Sequence, residues 1–227
     1  MVRSQGQPRC LWRTGTVPKG FLPQFQSVCF NQAENLQEPS IESQTVIRVY
    51  TDGSGYKAAG VLLAGFGVHF PQMVSLDSCG PLHGPVQTVQ RAELRAVCCA
   101  IEKAPSRISI VSDSSYVVHG ISKMLSGSTH IPSRHADLWT FVCTHIGLIH
   151  SVQWIRAHIH DPQTAQQQGF LVEDWAGNQQ ADSLAKKGAF SHGGNPQMEK
   201  AYASRLQMVR AIQCHMLNTW TYVQTTP

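Results

Sequence analysis

Three β-type runs follow one another with no helical pattern between them, and only afterwards do helix and strand patterns alternate. That order constrains the fold of this 227-residue chain more than any other feature. TVIRVYTDGSG (45–55) is a β-branched run ending in Asp-Gly-Ser, which predicts a strand running into a turn. GFGVHF (65–70) predicts a second strand and MVSLDSCG (73–80) a third, with Pro71-Gln72 as a tight connection. Consecutive strands with short connections pair as an antiparallel meander, whereas strands separated by a helix pair in parallel through a crossover.

The crossovers come next. TVQRAELRAVCCAIEKA, from Thr88, predicts a helix with Leu94, Val97, Cys98 and Ile101 on one face and Pro105 as its stop. RISIVSDSS (107–115) predicts an apolar strand, followed by a helix over 114–125 and another over 134–149. SVQWIRAH (151–158) predicts a fifth strand, a Gln-rich loop (159–172) follows, and EDWAGNQQADSLAKKGA (173–189) predicts a helix. The expected fold is α/β: a five-stranded mixed sheet, three antiparallel strands and then parallel ones, flanked by helices.

The core is expected over 45–191. Residues 1–44, rich in Gln, Pro, Ser and Gly, predict a poorly ordered extension with a short docking segment around Phe21–Phe30. Residues 192–227 predict a helical extension, amphipathic over 197–223 through Met198, Ala201, Leu206, Val209, Ile212 and Met216. With 42% hydrophobic residues a packed core is expected and wholesale disorder excluded. No run approaches the ~18 apolar residues of a membrane span, and the start has no secretory apolar core. Seven scattered cysteines, none in a C-x-x-C pair, argue against a disulfide framework or zinc ribbon. The expectation is a soluble intracellular protein in a reducing compartment, nucleus or cytoplasm, with no membrane partner. Net charge is +4 with no basic run, so charge alone announces no nucleic-acid partner.

Four acids stand where strand and helix patterns do not ask for them. Asp52 follows RVYT, Glu93 lies in the first helix, Asp113 ends ISIVS, and Asp182 lies in the late helix. Asp52 and Asp113 are expected to terminate adjacent parallel strands, whose axes run ~4.8 Å apart. Their carboxylates would then meet at the carboxyl ends of the strands, where α/β sheets place their sites. Like charges gather there only if cations join them, and hard oxygen ligands suit Mg²⁺ or Mn²⁺ rather than zinc. His158, His160 and Asp161 could supply zinc by residue type, but zinc sites normally need a fourth ligand.

Five segments in this order resemble type 1 ribonuclease H over about residues 45–191. They are Thr51-Asp52-Gly53-Ser54, Thr88-Val89-Gln90-Arg91-Ala92-Glu93-Leu94, Ser112-Asp113-Ser114, Trp154-Ile155-Arg156-Ala157-His158 and Gly177-Asn178-Gln179-Gln180-Ala181-Asp182. The resemblance implies a ribonuclease H-like fold and metal-dependent endonucleolytic cleavage of the RNA strand of RNA–DNA hybrids. It implies Asp52, Glu93, Asp113 and Asp182 as metal-binding carboxylates. Two Mg²⁺ ions (Mn²⁺ can substitute) about 4 Å apart would clamp the scissile phosphate, one activating water and the other stabilising the leaving 3′ oxygen. His158 matches a mobile histidine that assists proton transfer or product departure, with His160 as the competing candidate. Gly53, Ser54, Thr88, Gln90 and Asn178 match positions that touch the hybrid backbone.

The chain departs from the family pattern at several points. Val89 stands where Asn is frequent, and His135 where a substrate-binding Asn is often found. The loop 125–133 has no Lys or Arg, and Asp182 follows His158 by 24 positions, roughly twice the compact bacterial spacing. The reduced basic loop and the uninformative flanks point to a retroelement polyprotein origin, with a reverse transcriptase domain as partner. Two other readings are an integrase- or resolvase-like nuclease of the same superfamily and a catalytically decayed hybrid-binding module.

Overall fold

The structure, a computed structural model, describes residues 45–58, 61–192 and 196–225. The extension expected over 1–44, with Cys10, Cys29 and the docking segment at Phe21–Phe30, lies outside the described residues. Strands β1 (Ile47–Ala58), β2 (Val61–His69) and β3 (Ser78–Pro81) form the antiparallel meander. Helix α1 (Val89–Lys103) leads to β4 (Ile108–Ser112), helices α2 (Ser115–Leu125) and α3 (Ala136–Thr144) lead to β5 (Ile149–Trp154). A short helix α4 (Pro162–Gln167) and the long α5 (Val172–Phe190) complete the sheet unit. The sheet has the order β3-β2-β1-β4-β5, with β1, β4 and β5 parallel. This is the mixed five-stranded α/β sheet expected from the element order.

Three local expectations are corrected. The run 73–80 is a 3-10 turn at Val74–Leu76 followed by a short strand, because Asp77 accepts hydrogen bonds from the Phe70 amide (2.8 Å) and the His69 ring (2.8 Å) and folds the segment into a turn. The helix expected over 134–149 ends at Thr144 and continues only as a 3-10 turn, Ile146–Leu148. The Gln-rich stretch 159–172 is not a plain loop: Asp161 accepts from the Thr164 amide (2.8 Å) and hydroxyl (2.7 Å), and Pro162 opens helix α4.

The sheet buries both faces. On one, Val49, Ile108 and Ile110 pack with α1 through Leu94, Val97, Cys98 and Ile101, and with Val117, Ile121, Leu138 and Trp139 of α2 and α3. All four α1 positions expected on one face are in this core, and Pro105, which cannot continue the helix, follows its cap at Ala104. On the other face Tyr50, Val111 and Ile155 meet Ala181 of α5. Helix α5 approaches the sheet so closely that a Cβ on Gly67 would lie 2.3 Å from the Ala185 nitrogen. Small residues on both elements therefore set the depth at which α5 lies.

Beneath α5, Arg48, Tyr50 and Gln153 converge on Asp174, whose side chain is wholly buried. Arg48 donates from Nε and Nη2 at 2.8 Å each, Tyr50 Oη at 3.0 Å and Gln153 Nε2 at 3.2 Å. Burial, and then Asp174, pushes the Tyr50 phenol up to about 12. The tail expected to be helical over 197–223 forms helix α6 (Pro196–Thr225), in a unit separate from the sheet. Among the described residues no helix is long and apolar enough to cross a membrane.

Candidate active site

The parallel register of β1 and β4 runs from Ile47 opposite Ile108 to Thr51 opposite Ser112. Asp52 and Asp113 each follow the last registered pair, so the sheet itself delivers the two carboxylates side by side. Asp52 does not end its strand, as the sequence suggested. β1 continues to Ala58 because its second half pairs with β2, placing Asp52 opposite Gly67.

Glu93 arrives from the first half of α1. Thr88 caps that helix by accepting a hydrogen bond from the Arg91 amide (3.2 Å), and Gly53 allows the helix to lie against β1. A Cβ on Gly53 would lie 2.4 Å from the Glu93 nitrogen, so any larger residue would displace the helix carrying that acid. Ligand-capable oxygens of Asp52, Glu93 and Asp113 all lie within 4.8 Å of one another. These three acids, and not His158, His160 and Asp161, form the converging group among the described residues.

The electrostatics are those of a crowded anionic cluster. Burial and then Asp113 push the Asp52 carboxyl up to about 8, although the Gly53 amide donates to its Oδ1 at 2.7 Å. Glu93 is raised by burial against an opposing hydrogen bond from the Ser114 hydroxyl. Asp113 is also raised by burial, with hydrogen bonding to Asn178 and the charge of His158 opposing. Three mutually repelling carboxylates are unfavourable alone and favourable around a divalent cation, so this donor set fits a hard metal ion.

These shifts predict a pH signature for the metal-free protein. Asp52 is raised from 3.8 to about 8 on folding, so its contribution to stability is complete below the lower value and is lost as pH rises through the higher. In EDTA the melting temperature should therefore fall between pH 5 and pH 8, and Mg²⁺ should flatten that decline. Thermal melts across this range check it; a metal-free melting temperature that rises with pH would contradict the burial-driven shift.

Asp182 reaches the same cavity from α5 but stands outside the converging trio. Its Oδ2 accepts from Lys186 Nζ at 2.6 Å, one turn along the helix. Lys186 carries no sequence signal beyond its i,i+4 spacing from Asp182. The cavity is about 560 Å³, and its walls also include Gly53, Ser54, Val89, His158, His160 and Asn178. Asn178 is buried, and its Oδ1 has no hydrogen-bond partner among the described residues. His158 sits in a left-handed turn with φ 55°, exposed at the cavity wall.

Not every candidate comes together. Thr88 is occupied as a helix cap, and Gln90, half-buried in the first turn of α1, is not part of the cavity wall. His135 is buried at the start of α3, in a left-handed conformation, with its Nδ1 3.3 Å from Tyr116 Oη. Burial, then Arg91 and Arg134, hold its imidazole below the usual histidine range. A further contact was invisible to sequence reasoning: the Trp154 indole donates to the Asp113 carbonyl at 3.0 Å, tying β5 to the acid-bearing turn.

Comparison with known proteins gives a match to the RNase H family over residues 44–190. A ribonuclease H of Polaromonas sp. is 30% identical over 166 residues, covering 64% of this chain and 89% of the relative. One from Schizosaccharomyces pombe is 30% identical over 170 residues, covering 69% of this chain and 58% of the relative. Among solved structures, the protease-reverse transcriptase of prototype foamy virus aligns with a TM-score of 0.48 and 26% identity, over 67% of this chain and 22% of that one. The present chain thus spans about a fifth of the viral protein.

Proposed function

This chain belongs to the ribonuclease H family of enzymes, and from that premise we propose that it cleaves the RNA strand of RNA–DNA hybrids endonucleolytically with two Mg²⁺ ions. The observation that carries the reading is the convergence of Asp52, Glu93 and Asp113 within 4.8 Å in the wall of an open cavity. Asp52, Glu93, Asp113 and Asp182 would hold the metal. Held there, divalent cations would supply Lewis-acid polarisation at the scissile phosphate and neutralise its charge.

The chain's own groups do the rest. Asn178 lines the cavity, and its side-chain amide is of the kind that suits the 2′-hydroxyl that distinguishes RNA from DNA. Hydrogen bonding to Asn178 also opposes the burial-driven rise of the Asp113 carboxyl. His158, at the cavity wall beside Asp113, moves a proton during cleavage or assists departure of the product.

Incubation of labelled hybrid, double-stranded RNA and double-stranded DNA, each with Mg²⁺ or EDTA, tests the reading. Cleavage of the RNA strand of the hybrid alone, abolished by EDTA, is expected. Hybrid binding without cleavage would favour a decayed module, and DNA cleavage would favour an integrase- or resolvase-like nuclease. A retroelement origin with a reverse transcriptase domain as partner belongs to the same proposal. It is motivated by the loop 125–133, which offers no Lys or Arg to a phosphate backbone. Adding such a domain to the assay should tighten hybrid binding.

The two histidines separate in the same assay. His158→Ala should slow cleavage by ~10²-fold or less, as loss of general acid–base help would. His160→Ala should do little: it too borders the cavity, but it is His158 whose charge acts on Asp113. Single- and multiple-turnover rates for both variants check this, and a more damaging His160→Ala would reverse the assignment.

A further inference from the structure

We propose that Trp175 and Gln179 are positioning residues for His158, holding its turn preformed at the cavity wall; this rests on the role given to His158 above. Both side chains donate to one backbone carbonyl, that of Ile159: Trp175 Nε1 at 2.9 Å and Gln179 Nε2 at 3.3 Å. The acceptor is the residue directly after His158.

A connection of 23 residues between His158 and Asp182 would ordinarily leave a turn free to wander. Here the connection is folded at every step. Ile159 is 5% exposed, so its side chain plugs into the protein while its carbonyl takes the two donors. Asp161 caps α4, Ala165 of that helix is fully buried, and the Phe170 amide donates back to the Ala165 carbonyl at 3.0 Å. Phe170 then packs against the cluster of Tyr50, Val111, Ile155 and Ala181.

The backbone of His158 is the second, independent observation. A left-handed φ of 55° in a non-glycine residue persists only where the surroundings over-determine it. The double hydrogen bond on the next residue supplies that determination. On α5, Trp175 and Gln179 form an i,i+4 pair beside the stripe of Asn178 and Asp182, so one rigid helix sets both the acid side of the cavity and the histidine side. The segment thus acts as a scaffold that orders the imidazole before substrate arrives.

A double-mutant cycle on the full chain tests this with labelled hybrid and Mg²⁺. Trp175→Phe keeps an aromatic ring and removes the donor; loss of one neutral hydrogen bond should lower the single-turnover rate about fivefold, with hybrid affinity unchanged. In a His158→Ala background the same substitution should change nothing, and amide hydrogen exchange over 157–160 should quicken in Trp175→Phe. An equal loss in both backgrounds, or no loss in either, overturns the proposal while leaving the role of His158 intact. A His158→Ala enzyme as fast as the unmodified one overturns that role and this inference together. Should Trp175→Phe fail to fold, Gln179→Leu carried through the same cycle decides on the same criteria.

Discussion

Asp113→Asn is expected to slow hybrid cleavage at least ~100-fold, about 3 kcal/mol of barrier, without unfolding the protein. Asn keeps the volume of Asp and can still hydrogen-bond, but it removes a negative charge from the position next to Asp52. Asp113 is the natural choice for the test because its position is set by the end of the β1–β4 register and not by a long side chain. Its carbonyl is independently held by Trp154, so the turn should survive the substitution. Relief of repulsion should also lower the Asp52 carboxyl from about 8, making metal-free Asp113→Asn less sensitive to rising pH than the unmodified chain. Single-turnover cleavage and thermal melts in EDTA measure the two effects. Turnover at the unmodified rate would sink the metal-centre assignment.

Asp174→Ala should cost the most stability of any single change at a polar side chain. The Asp174 carboxylate accepts from Arg48, Tyr50 and Gln153 and is 0% exposed. Removing one partner of a buried ion pair typically costs 3–5 kcal/mol because the other is left uncompensated. The Arg48 side chain is 32% exposed and can recover part of its hydration, which places the expectation near the lower end, about 3 kcal/mol. Urea denaturation gives the value directly. A second readout is specific to the network: the Tyr50 phenol, held up to about 12 by burial and then by Asp174, should titrate lower in the variant. An unchanged denaturation midpoint would show that α5 does not depend on this anchor.

The two substitutions probe different distances along the chain, and the same division separates what sequence alone could reveal. Short-range signals were sufficient for the element order. The β-branched run before Asp52, the one-sided apolar pattern from Leu94 to Ile101 and the stop at Pro105 act within a few residues of where they lie. The rule that helix-linked strands pair in parallel then brought Asp52 and Asp113 together without reference to any distant contact. The acids of the candidate site were legible for that reason: each sits in a local context that a core or a solvated surface does not explain. Even the Gln-rich stretch carries a usable local signal, since Asp161-Pro162 is a helix start.

What the tertiary structure alone decided involves residues far apart in sequence. Arg48 and Asp174 are 126 positions apart, and no periodicity relates them. Their pairing, the Trp154 bond to Asp113 and the double bond on Ile159 all depend on where α5 and β5 come to rest. Close approach at Gly67 and Gly53 sets how near the helices lie to the sheet, and hence which acids converge. A glycine in a strand reads as weakness until the opposing backbone is seen. Chain order and local pattern determined the scaffold and nominated the carboxylates. Only the depth of helix packing, fixed by backbone contact across the sheet, decided that Glu93 joins Asp52 and Asp113 while Asp182 stays with Lys186.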